Sequence, residues 1–247
     1  MTALAAAVQF LLLSPTFIRR SFTPRELGRA VGFYPLVGLL LGAVLALVDL
    51  LLARILPIGV RSALILTLWI AITGALHFDG FVDSCDGLLG GGTPDQRLAI
   101  MRDERAGAYG LAGGLLLLLI LFSGLSAVQS LRWAMLLLAP VIGRWAMALA
   151  VVLFPYARPT GLGRDIKDHA ALEEAVLSTV IALLVVLPLA WWMHSVLPMV
   201  ALGLAAVIGW LTAQFAKSRV GGLTGDIYGG INMMVEASVL LVFAAAS

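Results

Sequence analysis

Residues Phe33 to Leu56 read FYPLVGLLLGAVLALVDLLLARIL, and Val60 to Leu76, after a Pro57/Gly59 turn, read VRSALILTLWIAITGAL. About 20 apolar residues suffice to cross the hydrocarbon core of a bilayer. Two such runs, interrupted only by Asp49, Arg54 and Arg61, therefore predict a pair of membrane-crossing helices. The rest of the chain agrees. Of its 247 residues 61% are hydrophobic and only 12% charged, and the mean hydropathy is +1.03, far outside the range of soluble domains. The fold class is all-α, a polytopic membrane helix bundle in a single domain over residues 1–247.

Working outward, five more spans are expected at Tyr109–Gln129, Trp133–Phe154, Ala175–Leu197, Met199–Phe215 and Ile227–Ala246, about seven in all. Upstream, Thr2–Phe17 is too short before Pro15 to cross and is expected to be an interfacial or re-entrant helix. It lacks the basic start and the small-residue cleavage site of a secretory signal. Thr23, Pro24 and Glu26 read as a capping box that opens the next helix. Basic residues fix the orientation, because loops retained in the cytoplasm carry the Lys/Arg excess. Twelve of the 16 fall on the side of Arg19 and Arg20, three (Arg54, Arg61 and Arg132) on the other, and Arg144 lies within a span. The polar loops are therefore expected to face the cytoplasm. The net charge of +2 and the absence of a long basic run argue against nucleic acid as a partner. The single cysteine, Cys85, excludes an internal disulfide. Homo-oligomerisation is left open.

Between the second and third spans stands the most polar segment, HFDGFVDSCDGLLGGGTPDQRLAIMRDERAGAYG (His77–Gly110), with an active-site loop expected over residues 77–108. If its first part is helical, Asp79, Asp83 and Asp86 lie within about 60° of one another on one face. Like charges at that spacing repel, so a divalent cation is the economical partner. Oxygen ligands without a Cys or His cluster suit Mg2+ or Mn2+, which leave coordination positions for phosphate oxygens. Asp103 is the fourth candidate metal ligand. Arg97, Arg102 and Arg105 are candidates for a diphosphate, which arginine forks match in geometry; the alternative is positive-inside anchoring. Asp95 is expected to be an N-cap. His77 is a candidate base, a partner orienting a ligand, or an interface histidine.

Two further stretches carry polar chemistry. PYARPTGLGRDIKDHA holds Arg158, Arg164 and Lys167, which either bind phosphate or anchor the bundle. GGLTGDIYGGINMMVEA offers backbone amides to an anion, with Asp226 at its mouth. Deeper in the same span lie Asn232 and Glu236, and an ionisable group inside a membrane is a functional candidate by default. Arg144 is the expected partner of Glu236. Gly38 and Gly42 are helix-packing signals.

ELGRAVGFYPLVGLLLG, HFDGFVDSCDGLLGG, RLAIMRDERAGAYG, ARPTGLG and GGLTGDIYGG, in this order, resemble the cobalamin synthase family of adenosylcobinamide-GDP ribazoletransferases over almost the whole chain. Glu104 departs from the family's usual serine, and Met233 from an expected glutamate. The resemblance implies an integral membrane enzyme of late vitamin B12 assembly. α-Ribazole, or its 5'-phosphate, would attack the diphosphate of adenosylcobinamide-GDP and release GMP. Mg2+ on Asp79, Asp83, Asp86 and Asp103 would assist, with His77, Asp86 and Asp103 in catalytic roles. Arg97, Arg102, Arg105, Arg164, Asp226, Asn232 and Glu236 would contact substrate. Two alternatives belong to other classes. A CDP-alcohol phosphotransferase lacks its D-G-x-x-A-R signature here, and a cation-coupled transporter would place its charges at mid-membrane in repeated halves.

Overall fold

The computed structural model describes residues 2–14 and 18–247. Pro15 and Phe17, at the expected end of the first segment, lie outside the described residues. Among the rest the fold is helical: α1 (Thr2–Leu11), α2 (Pro24–Ala30), α3 (Tyr34–Leu52), α4 (Ile58–Ile72), α5 (Leu76–Leu89), α6 (Pro94–Ile100), α7 (Ala108–Ala127), α8 (Arg132–Leu153), α9 (Leu162–His169), α10 (Leu172–Trp192), α11 (Leu197–Val220) and α12 (Gly225–Ala245). A short 3-10 turn joins α2 to α3, so Pro24–Leu52 runs on as one apolar rod. That rod, α7, α8, α10, α11 and α12 are each long and apolar enough to cross a bilayer. The pair α4 and α5, bent by 88° at its break, brings the count to seven if it is one crossing. The chain is a multi-pass membrane protein. At 1.5 Å per residue α1 is only about 15 Å long, too short to cross.

Local signals behave as expected at α2, where the Thr23 hydroxyl accepts from the Glu26 amide and the Glu26 carboxylate accepts from the Thr23 amide at 2.9 Å. At α6 the expectation is corrected. Thr93, not Asp95, is the N-cap, because Gln96 three residues on completes a capping box, its side-chain oxygen taking the Thr93 N–H at 2.9 Å. Asp95 falls in the first turn instead.

Two spans form the centre. About 78% of the apolar windows of α8 and α12 is buried, against 22% for α10 and 28% for α11, so the latter two face lipid over most of their surface. Without water to drive apolar association, spans pack where small residues admit a neighbour's backbone. Gly38 and Gly42 do this for α3. A Cβ at Gly42 would stand 2.7 Å from the Leu137 carbonyl oxygen, and Gly38 lies against the Pro140 carbonyl of α8 in the same way. Between α8 and α12, Arg144 donates to Glu236 at 2.9 Å with both side chains buried, the pairing anticipated from sequence. At one end of the bundle, Arg132 donates to Asp49 (2.8 Å), to Ser62 (3.1 Å) and to the Leu125 carbonyl, and Arg61 pairs with Asp49 at 3.1 Å. This network ties α3, α4 and α7 to the start of α8.

The polar segments gather at the opposite end. Gly28 of α2 abuts His169 of α9, and the chain after α8 pairs with the chain before α12 through Ala157 N–H to Leu223 O and Leu223 N–H to Pro155 O, both 2.8 Å. The turn between α4 and α5 passes through two left-handed residues, Gly74 (φ 59) and Ala75 (φ 57). The sharp change of direction they produce lays α5 across α12 and α7.

Candidate active site

The acidic stretch is not a loop but the helix α5, and its glycines set where its carboxylates stand. A Cβ at Gly80 would fall 2.8 Å from the Asp226 carbonyl oxygen and 3.0 Å from its Cα. Only glycine allows the two backbones this close, and the closeness brings Asp79 and Asp83 of α5 beside Asp226 in the first turn of α12. The Thr224 hydroxyl caps α12 by accepting from the Ile227 amide at 3.3 Å. The same hydroxyl donates to Asp226 at 3.1 Å, and Arg158 donates to Asp226 at 2.9 Å. Backbone pairing of Ala157 with Leu223 is what delivers Arg158 there, so ARPTGLG and GGLTGD make one wall.

A cavity of about 330 Å³ opens at this wall. Its polar lining consists of Asp79, Arg102, Arg158, Thr160, Asp226 and His77, with the tyrosines Tyr34, Tyr156 and Tyr228. The lining residues from α1, α8 and α9 are apolar. The Tyr156 and Tyr228 rings stand 6.1 Å apart, and burial pushes the Tyr156 hydroxyl above its ordinary pKa, so it stays protonated. Carboxylates and arginines around one small cavity can compensate both a cation and the phosphates that cation bridges.

The structure brings some of the expected site residues together and disperses others. Asp83 feels the charges of Asp79, Asp226 and Asp86, with Arg158 the opposing cation. Asp86 is buried and turned towards α7, where its two oxygens accept the N–H groups of Gly107 and Gly110, each at 2.7 Å. Asp103 is exposed and takes both a side-chain and a backbone bond from Arg105, which hold its pKa down to about 2. Arg97, expected on phosphate, is buried and clamps the end of α5, donating to the carbonyls of Gly87 (3.0 Å), Leu88 (2.8 Å), Gly90 and Gly92. Arg164 pairs with Asp168 one turn on, at 2.8 Å. Asn232 and Glu236 are buried deeper in α12 and do not line the cavity. His77 borders the cavity and also a void of about 10 Å³ that reaches Glu236. Among the described residues its Nε2 has no hydrogen-bond partner, and neither have the Tyr228 hydroxyl and the Asn232 amide.

Among the described residues no three of His, Cys, Asp and Glu form a ready metal cage. Mg2+ needs none, since it commonly takes one or two carboxylates and completes its shell with water and substrate phosphate. The donor chemistry around Asp79, Asp83 and Asp226 fits that ion.

Residues 3–244 match the family model described as cobalamin-5-phosphate synthase. The chain belongs to the cobalamin-5-phosphate synthase family. It is 40% identical over 246 residues to the adenosylcobinamide-GDP ribazoletransferase of Stutzerimonas stutzeri, covering 99% of this chain and 98% of that one. The enzyme of the same name from Desulforamulus reducens is 36% identical, covering 98% and 95%, and that of Pseudomonas putida KT2440 is 41% identical, covering 96% of each. No solved structure matches. A member of the cobalamin-5-phosphate synthase family is a transferase of cobalamin biosynthesis, which sets aside the CDP-alcohol and transporter readings. Among the contributors to the cavity that the sequence reading did not name as site residues are Arg158, treated as one of several loop cations, and α1, treated only as an interfacial or re-entrant helix. The first had a signal in ARPTGLG. The second had none, because a ten-residue apolar helix looks the same wherever it docks.

Proposed function

We propose that this chain transfers α-ribazole, or its 5'-phosphate, onto adenosylcobinamide-GDP with release of GMP, at the face of the bacterial inner membrane that looks into the cytoplasm. The observation that carries the reading is the meeting of Asp79 and Asp226 with Arg102 and Arg158 at one cavity, with Asp83 one turn along α5 from Asp79. Full-length relatives bearing that enzyme's name support it, and the twelve-to-three basic bias supports the orientation.

Asp79 and Asp83 would hold Mg2+, with Asp226 beside them restrained by Arg158. When bound, the ion supplies charge compensation on the diphosphate. Arg102 and Arg158 bind the phosphate oxygens left over and hold the phosphorus in line with the attacking ribose hydroxyl. His77, which borders the cavity with its Nε2 unpartnered among the described residues, is the group placed to take the proton of that hydroxyl. Asp86 acts through structure, fixing α5 against α7. Asp103 serves by holding Arg105.

The test is GMP release by the purified protein in vesicles, given adenosylcobinamide-GDP, α-ribazole and Mg2+. Asp79→Asn should lower turnover by roughly two orders of magnitude and raise the Mg2+ needed for half-saturation. Wild-type turnover at an unchanged Mg2+ requirement would refute the metal assignment. No GMP from the wild type would refute the function.

A further inference from the structure

The cavity has two chemically different sets of lining residues, and only one is used by a diphosphate and its cation. Besides Asp79, Arg158 and Asp226, it is lined by Phe10 and Leu11 of α1, Met147 and Val151 of α8, and Leu162 and Ile166 of α9. Five of these six side chains offer no hydrogen-bond donor or acceptor, and Met147 offers only a weak thioether acceptor. α1 is held over the cavity deliberately: the Leu13 N–H donates to Ile72 O at 2.7 Å, just before the bend into α5, and Gln9 bonds the Ile18 main chain in both directions at 2.8 and 3.2 Å.

We infer that this apolar wall, with α1 as its cover, is the seat of the aromatic base of the ribazole substrate. The inference rests on the reaction proposed above and adds to it which substrate enters the cavity and by which end. Guanine, the base of the other substrate, has polar groups along two edges and would leave them unpaired against such a wall, an arrangement that binding sites avoid. The ribazole base is a dimethylated benzimidazole, flat and apolar, whose one polar atom free for a partner is the unsubstituted ring nitrogen. Of the unpartnered polar atoms that line the cavity among the described residues, Arg158 Nε belongs to the phosphate-binding group and His77 Nε2 to the proposed base, which leaves a neutral hydroxyl donor for that nitrogen. Tyr228 lines the cavity, is 6% exposed, and its hydroxyl has no partner among the described residues. Size points the same way. A cavity of about 330 Å³ lies at the small end for ligand sites. It accommodates a riboside, whereas a corrin ring with its side chains is several times too large. The corrinoid is left outside with its diphosphate reaching in, and ribazole lies inside with its sugar towards Asp79 and its base on Phe10, Met147 and Tyr228.

The experiment measures KM for each substrate at saturating concentration of the other, in wild type, Phe10→Ala and Tyr228→Phe, using α-ribazole and the riboside of unmethylated benzimidazole. Phe10→Ala should raise KM for α-ribazole by about tenfold, leave KM for adenosylcobinamide-GDP within about twofold, and shrink the preference for the dimethylated base. Tyr228→Phe should raise KM for both ribosides by the same factor, since the ring nitrogen is common to them. A general disturbance of the fold would move both substrates and leave the methyl preference intact. If Phe10→Ala melts early in detergent, Phe10→Leu replaces it, and the lost preference for the methyl groups remains the readout. A rise in KM for adenosylcobinamide-GDP alone, or no change for either substrate, overturns the assignment while the proposed reaction stands. Absence of GMP from the wild type overturns both.

Discussion

Replacing Asp86 by Asn separates a ligand of the metal from a strut of the fold, and the structure gives a magnitude. The first amides of a helix lack intrahelical partners, and α7 (Ala108–Ala127) has no side-chain cap of its own at Gly107. Asp86 supplies one from another helix through two bonds of 2.7 Å, to Gly107 and Gly110. A hydrogen bond to a charged group contributes about 1.5–3 kcal/mol. Asn keeps one acceptor, but its NH2 then faces an N–H donor, so one amide is orphaned where Asp86 is buried. The charge at the N-terminus of α7 is lost as well, for about 0.3–1 kcal/mol. The expected loss is about 2–4 kcal/mol, or roughly 5–15 °C in midpoint for a chain of this size. Thermal unfolding in detergent, followed by tryptophan fluorescence, measures it. Gly110→Ala should give a similar drop from the other partner, because its Cβ would collide with Asp86 Oδ2, and the double variant should lose little more than either single one. Asp79→Asn and Asp83→Asn should not melt earlier than the wild type, since each removes a charge from a crowded carboxylate group. An Asp86→Asn protein that melts with the wild type yet needs more Mg2+ would refute this reasoning and make Asp86 a metal ligand.

Breaking the buried Arg144–Glu236 pair with Glu236→Ala should cost about 3–5 kcal/mol by leaving a charge alone. Adding Arg144→Leu should recover much of the loss, and a double variant no more stable than the singles would disprove the coupling. Ala75 holds φ 57 in the bend before α5, so Ala75→Val should destabilise by about 1–2 kcal/mol and lower turnover by moving Asp79. Ala75→Gly should do neither, and equal effects of the two would show that backbone strain is not the cause. Orientation is tested by Arg164→Cys in a Cys85→Ala background: an impermeant thiol reagent added outside intact cells should leave it unlabelled, and labelling would invert the topology.

The sequence alone determined six of the spans, because hydrocarbon tolerates unpaired backbone and charge so poorly that a crossing helix must announce itself in composition, whereas the expected span Val60–Leu76 is α4 followed by the 88° bend into α5. The boundary errors are a few residues, as with the sixth span, which runs on past Phe215 to Val220. Arg144 and Glu236 were also legible as partners, each being the sort of charge that an apolar span holds only with a counter-charge. The roles inside the polar stretch were not legible. Helical spacing put Asp79, Asp83 and Asp86 on one face, but a face has neighbours that a one-dimensional pattern does not specify. The amides of α7 engaged Asp86, the carbonyls ending α5 engaged Arg97, and Arg105 engaged Asp103. Tertiary structure also decided what joined the site: Gly80 brings α5 onto Asp226, and the pairing of Ala157 with Leu223 delivers Arg158 from a segment 68 residues away. Spans follow from the solvent, which acts on every residue of a segment alike, whereas a site depends on which backbones come within 3 Å of one another, and that is set only when the helices pack.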